Sequence, residues 1–500
     1  MLKTISLKNI SQSFLERTIL SGVSIKFTEG ERICIVGENG TGKSTILKII
    51  AGTIEPTSGS VEKNTHIRTY YVAQEFAQSD AELTVEAYIT KYAGVSLFKK
   101  VYETSTKLGF NLQKVSDALA GSLSGGQQKN LTLSVGIATA PDFLLLDEPE
   151  NHLDIVSRLE LIKVLQAYKG GVLFVSHDRR MIDALADKVV EVANGKAHVS
   201  EGGYQDYIDA KLARIGGMQR QYDTEAKRIR QIQSTIGILE SKAFRGKDVS
   251  KYLKTKQELA DLKQKHKEQS RPEDRQTKIK LKQYNESLHD GKLLCRITDA
   301  SFGYGKGDIF RDLTLDIRTG EHIVLLGRNG SGKSTFLKCL TGHLQLANGS
   351  VVWAPEVTHA YFDQHAEFDP QMTPVEVVMQ GLNKDEKSAR AVLGMMKFIV
   401  EKMDTKIHAL SGGERMRVRF ALVFGASPDF IILDEPTNHL DEVTWQILLD
   451  ACNASKSTIL LVTHDYEFIQ DLKSKVFWLI KGQTVKERHK DLEEIVEELR

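Results

Sequence analysis

GENGTGKST at residues 37–45 and GRNGSGKST at residues 327–335 are one nine-residue pattern written twice. In GxxxxGK[ST] the glycines let backbone N–H groups wrap phosphate oxygens, the lysine adds a point charge, and the following hydroxyl reaches Mg²⁺. Each copy follows an apolar run, ICIVG or IVLLG, and precedes a helix-like one, ILKII or FLKCL. That is the strand, loop and helix setting the motif requires. The first copy offers Gly37, Asn39, Gly40, Gly42, Lys43, Ser44 and Thr45 to a nucleotide; the second offers Gly327, Asn329, Gly330, Gly332, Lys333, Ser334 and Thr335.

Working outward, the repeat extends through four further landmarks. Gln74 recurs as Gln364, LSGGQQ at 123–128 as LSGGER at 410–415, LLLDEPENHLD at 144–154 as IILDEPTNHLD at 431–441, and SHD at 176–178 as THD at 463–465. Five landmarks in one order mean two homologous units. The runs FLLLD and FIILD end at paired carboxylates, and VLFVS and ILLVT end at a histidine. The motifs therefore gather at the C-terminal edge of a largely parallel sheet, and the fold class is α/β with two tandem P-loop domains.

The chemistry follows from residue type. Asp147 and Asp434, with Ser44, Ser334, Gln74 and Gln364, are placed to hold Mg²⁺, and Glu148 and Glu435 to act as general bases toward an attacking water. His177 and His464 suit donors to a γ-phosphate, and Gln74 and Gln364 suit sensors of the metal or the water. Phe14 and Tyr304 each lie 23 residues before the first P-loop glycine, where a ring can stack on adenine or pack in a core. One position is unequal, Glu150 against Thr437. An added carboxylate near a triphosphate is repulsive unless solvated or paired, so the first site is expected to bind or hydrolyse ATP more weakly.

Five hundred residues, 41% of them hydrophobic, suit about three domains. No apolar run approaches the roughly 20 residues of a membrane span, and MLKTISLKNI alternates like a strand rather than a signal segment. A soluble, cytoplasmic chain with no membrane partner is expected. The four cysteines lack metal or disulfide spacing. The net charge of +1 hides a division: residues 208–290 hold 20 Lys or Arg against 12 Asp or Glu, a net of +8, leaving −7 elsewhere. Within that stretch Ile208, Leu212, Ile215, Tyr222, Ile229, Ile232, Ile236 and Leu239 form a helical seam, and Val249, Tyr252, Leu259 and Leu262 a shorter one. These predict an α-helical hairpin linker: a first helix over 206–241, about 54 Å long, a turn in SKAFRGKDVSK, and a second helix ended by Pro272. Gly216 and Gly217 predict a flexible root. Phe244, Arg245, Lys247, Lys251 and Lys254 give its tip an aromatic, basic surface suited to RNA. The expected domains are 1–205, 206–291 and 292–486, with a short C-terminal helix over 487–500.

The order of P-loop, Gln, LSGGQ-like signature, Asp-Glu and His resembles the ATP-binding cassette superfamily. In that superfamily two cassettes close head to tail. The resemblance implies that the first site pairs its own residues with Ser411, Gly412 and Gly413, and the second with Ser124, Gly125 and Gly126, within one monomer. NHLD after each Asp-Glu-Pro, the charged linker, and GGYQDY at 202–207 resemble the ABC-F family. That resemblance implies a Mg²⁺-dependent ATPase bound at the exit site of the 70S ribosome, its hairpin beside peptidyl tRNA and rRNA at the peptidyl-transferase centre. ATP would favour the bound state and hydrolysis release it, in a translation factor or an antibiotic-resistance protein that protects ribosomes. The fused ATPase subunit of an importer with separate membrane subunits also carries two cassettes, but joins them by a short connector, so the linker argues against it.

Overall fold

The structure, a computed structural model, describes residues 2–14, 17–243, 249–268, 291–305, 307–362, 367–438 and 440–500. Two compact units are present: residues 1–203 with 278–500, and residues 204–277.

The larger unit contains the two repeats. In the first, strands Thr69–Val72, Phe143–Asp147, Gly171–Val175, Arg32–Val36, Lys188–Ala193 and Lys196–Glu201 lie side by side in that order, with only the last pair antiparallel. The second repeats this with His359–Phe362, Phe430–Asp434, Thr458–Val462, His322–Gly327, Lys475–Lys481 and Thr484–Arg488. FLLLD and GVLFV are buried at every residue, as parallel strands covered on both faces must be. This order brings the P-loop, the paired carboxylates and the histidine to the same edge of three neighbouring strands.

Each repeat also carries a separate three-stranded antiparallel sheet that the sequence reading omits: Thr4–Phe14 between Arg17–Thr28 and Ser58–Lys63, and Leu293–Gly303 between Asp308–Arg318 and Asn348–Trp353. Ile5, Leu7 and Ile10 of the first such sheet share a core with Ile33 and Phe143 of the parallel one and with Ile46 of the helix after the glycine loop. At the C-terminus, residues 487 and 488 complete an edge strand, and the helix spans Leu492–Leu499. Its Leu492, Ile495, Val496 and Leu499 join the second repeat's core, so it is part of that domain rather than an appendage.

The two repeats pack on each other. Ile155 and Val156 of the first belong to the core cluster of the second. Arg179 pairs with Glu442 at 2.5 Å and lies 3.9 Å over the Trp445 ring; Arg180 lies 3.9 Å over Tyr466.

The smaller unit is a pair of helices, Tyr204–Ala243 and Val249–Glu268. The first has 40 residues, about 60 Å, and begins two residues before the expected boundary. It runs unbroken through Gly216 and Gly217, where Arg220 Nε donates to Gly216 O at 3.1 Å. The root at which flexibility is expected is thus helical through both glycines. Arg228 pairs with Glu258 at 3.0 Å and Tyr252 Oη donates to Glu240 Oε1 at 3.3 Å, so the helices run antiparallel. Ile229 and Leu239 on the predicted seam are buried, while Leu212 is exposed. Phe244, Arg245, Lys247 and Pro272 lie outside the described residues; Lys251 and Lys254 are exposed on the second helix. No helix among the described residues is long and apolar enough to cross a membrane.

Candidate active site

Strand Arg32–Val36 leads through the glycine loop to helix Lys43–Ala51, and His322–Gly327 leads likewise to Lys333–Leu340. Thr45 and Thr335 fall in the first helical turns. Gly42 and Gly332, the residues before each lysine, have φ of 103° and 98°. A Cβ at either would strike Ile19 or Ile309, so glycine is required on both counts. Lys43 Nζ donates to Gly37 O at 2.8 Å and Glu38 O at 3.1 Å; Lys333 Nζ donates to Gly327 O at 3.0 Å and Arg328 O at 3.3 Å. Burial lowers both ammonium pKa values, opposed at Lys43 by Glu148, Asp441 and Asp147, and at Lys333 by Glu435, Asp154 and Asp434. In each set one acid, Asp441 or Asp154, comes from the opposite repeat.

Asp147 Oδ1 accepts from Ser44 Oγ at 3.0 Å and Oδ2 from Tyr71 Oη at 2.8 Å. Tyr361 Oη donates to Asp434 Oδ2 at 3.4 Å. Ser334 lies near enough to Asp434 to favour its charged form, although burial raises both aspartates overall. Asp434 Oδ1 is buried with no aligned donor among the described residues. A hydroxyl beside a carboxylate, with one carboxylate oxygen left unmatched, fits a hard, oxygen-seeking cation such as Mg²⁺. Among the described residues no cluster of three His, Cys, Asp or Glu forms a closed metal site, so phosphate and water oxygens would complete the shell.

Glu148 and Glu435 both have left-handed φ, 45° and 48°, a strained conformation that recurs at functional positions. Glu148 Oε2 accepts from Gln74 Nε2 at 2.8 Å and from Asn151 Nδ2 at 2.5 Å. Glu435 Oε1 lies 3.2 Å from His464 Nε2. Burial pushes Glu435 up to about 7 and His464 well below its ordinary value, leaving a neutral imidazole beside a proton-seeking carboxylate. Gln364 lies outside the described residues. Phe14 and Tyr304 are exposed, and Phe302 meets the Tyr304 ring edge-on at 5.0 Å; both rings are open to a ligand.

The repeats meet head to tail at the second P-loop. Asn329 N donates to Asp154 Oδ2 at 2.9 Å, Asn329 Nδ2 to His152 O at 2.6 Å, and Arg328 Nη2 to Gly109 O at 3.1 Å. Ser124 begins the helix Gly125–Thr139 with a capping box closed by Gln127, and Ser411 begins Gly412–Gly425 with one closed by Glu414. A Cβ on Gly126 would lie 2.6 Å from His152 O and 2.7 Å from Asn329 Nδ2. The first signature therefore touches the second P-loop. Gly413 of the other signature abuts Asp441, the acid that acts on Lys43.

Glu150, the unequal position, is buried; Oε1 accepts from Ser176 Oγ at 2.6 Å and His177 N at 3.2 Å. At the equivalent point Thr437 and Thr463 share a 2.6 Å hydroxyl contact. Sequence reasoning missed Asn151, Tyr71, Lys129, Asp154 and Asp441. Asn151, Asp154 and Asp441 stand in the quoted NHLD, and their signal was recurrence in both copies.

The chain resembles known proteins in sequence and in fold. The family described as ABC transporter matches residues 20–151 and 310–438. The chain is 30% identical to the putative ATP-binding protein YdiF of Bacillus subtilis over 95% of its own length and 80% of that protein's. It is 30% identical to the ATP-binding protein Uup of Haemophilus influenzae, over 96% and 79%. For the ATP-binding cassette sub-family F member 3 of Rattus norvegicus the figures are 30%, 96% and 72%. Among solved structures, archaeal ABCE1 in complex with the ribosomal stalk protein aP1 superposes with a TM-score of 0.66 at 23% identity, over 96% of this chain and 89% of that one; this likeness concerns the fold.

Proposed function

Because this chain belongs to the ABC-F family of ATP-binding cassette proteins and is an ATP hydrolase, we propose that it binds the ribosome in its ATP state through its helical pair. The observation that carries the reading is a basic helical unit inserted between two cassettes that already meet head to tail. An archaeal protein of the same fold, ABCE1, is ribosome-bound with Pelota. On this reading the cassettes occupy the exit-site region, and the arm acts on peptidyl tRNA and rRNA at the peptidyl-transferase centre, as a translation factor or in ribosomal protection against antibiotics.

Each ATP lies between one P-loop and the opposite signature. Lys43 or Lys333 and the loop amides hold the phosphates, and the exposed ring of Phe14 or Tyr304 stacks on the base. Ser44 and Asp147, or Ser334 and Asp434, would hold Mg²⁺, which would supply charge neutralisation on the phosphates. Glu148 or Glu435 takes a proton from water as its oxygen bonds the γ-phosphorus, and the bond to the bridging oxygen breaks to leave ADP. Neutral His464 donates its N–H to the γ-phosphate oxygens, as does His177 in the first site. Asp154 and Asp441 reach across to the opposite loops, so ATP favours closure of both sites together.

The arm is tested by deleting residues 208–290 with a short flexible replacement and measuring ribosome pelleting across a salt series. The intact chain should pellet with ATP and lose affinity steeply with salt as phosphate contacts are screened; the deletion should hydrolyse ATP yet no longer pellet. Equal pelleting of both proteins refutes the reading, and co-purification with membrane subunits instead supports an importer.

A further inference from the structure

Three aligned positions, each 287 residues apart, give the two sites different interiors: Lys129 against Met416, Glu150 against Thr437, and Ser176 against Thr463. Lys129 is buried in the helix that begins at the first signature. Its Nζ donates to Ala73 O at 3.0 Å, Gln74 O at 3.3 Å and Asp147 O at 3.1 Å. One ammonium thus joins the Gln74 loop to the strand that ends in the carboxylates. On the other side of those carboxylates, Glu150 joins its own turn to Ser176 and to the backbone of His177. Between them, Glu148 is held by Gln74 and Asn151. In the second site Met416 has no charge or donor to offer, and the Thr437 hydroxyl meets that of Thr463 at 2.6 Å.

The exchange is balanced, one cation and one anion in the first site against two neutral side chains in the second. Burial lowers Lys129 to about 8, with Glu150 foremost among the acids opposing that shift; burial and Asp178 raise Glu150 to about 7. The extra acid is thus accompanied by an extra cation buried in the same site. What remains is mechanical: to point Gln74 and Glu148 at a γ-phosphate and water, the first site must loosen the contacts of Lys129 and Glu150, where the second carries Met416 and Thr437.

We propose that Lys129 and Glu150 are positioning residues that make the first ATP site the slow, ATP-holding site and leave the second as the faster one. They act on turnover rather than on affinity, because they grip the loops around the base while their charges compensate. The inference rests on the site assignment above, but not on ribosome binding.

The test uses full-length protein without ribosomes. In a Glu435→Gln background, which leaves turnover to the first site, Lys129→Met with Glu150→Thr should raise kcat about tenfold with KM for ATP within about twofold. A structural role alone does not raise a rate. An unchanged or lower kcat with Tm retained overturns the proposal. If the double substitution lowers Tm, the reverse exchange decides: Met416→Lys with Thr437→Glu, in a Glu148→Gln background, should slow the second site about tenfold at similar KM, and an unchanged rate overturns the proposal. A Glu148→Gln, Glu435→Gln control that still turned over would instead refute the assignment of the bases.

Discussion

Removing the Asp154 carboxylate separates what one residue does within its cassette from what it does across the interface. Oδ1 accepts from Ser157 N at 2.8 Å and caps helix Ile155–Gln166; losing such a cap costs about 1 kcal/mol. Oδ2 accepts from Asn329 N at 2.9 Å, a charge-assisted bond to the opposite P-loop worth about 1.5–3 kcal/mol. Arg328 Nε stands 3.5 Å away on a side chain about a third exposed, which contributes about 0.2–1 kcal/mol after solvent screening. Asp154→Ala thus destabilises the first cassette by about 1 kcal/mol and closure on the second P-loop by about 2 kcal/mol or more. The second figure corresponds to about a 30-fold rise in KM for ATP at the second site, read in a Glu148→Gln background. Asp154→Asn retains the cap and should keep Tm while weakening closure. Tm falling in Asp154→Ala with KM within twofold would refute the cross-cassette role.

Other outcomes follow from single contacts. Glu150 is raised to about 7 from an ordinary 4.5, so the folded state binds its proton more tightly than the unfolded chain. Its favourable contribution is full below pH 4.5 and lost as pH rises through 7, a swing of about 3 kcal/mol. The Tm advantage of Glu150→Gln over the parent should therefore widen from pH 5 to pH 8, and a constant gap contradicts this. Gly126→Ala places a methyl 2.6 Å from His152 O, a backbone atom of its own cassette, and 2.7 Å from Asn329 Nδ2; it should lower Tm and raise KM at the second site at least tenfold, and an unchanged KM would refute the contact. Trp445→Phe keeps a ring under Arg179 but deletes the 2.6 Å bond from Nε1 to Asp465. It should lower stability by about 1.5–3 kcal/mol in denaturant unfolding; no change would make that bond incidental.

The two cassettes were legible because each landmark recurs in the same order, and because apolar strands ending in chemistry-bearing residues place them on one sheet edge. The antiparallel sheets were not, since Thr4–Phe14 pairs with Ser58–Lys63 across a P-loop and a helix, and periodicity does not encode a partner that distant. The helical seam was visible and is buried where the second helix lies alongside, at Ile229 and Leu239, but not at Leu212. Glu150 could be picked out as unequal, yet its burial depends on Ser176 lying one strand away. Lys129 went without a reading, because its three carbonyl partners come from two segments distant in the chain. Asn151 was passed over although it recurs as Asn438 in the second NHLD, because nothing in the motif shows that its amide turns back onto Glu148.

The most direct test of the central claim is co-sedimentation of the Glu148→Gln, Glu435→Gln protein with ribosomes, with and without ATP. Both bases are removed, while the phosphate-binding lysines and the arm remain, so the account expects stable pelleting in ATP and little in its absence or in ADP. Pelleting that is the same under all three conditions would contradict it.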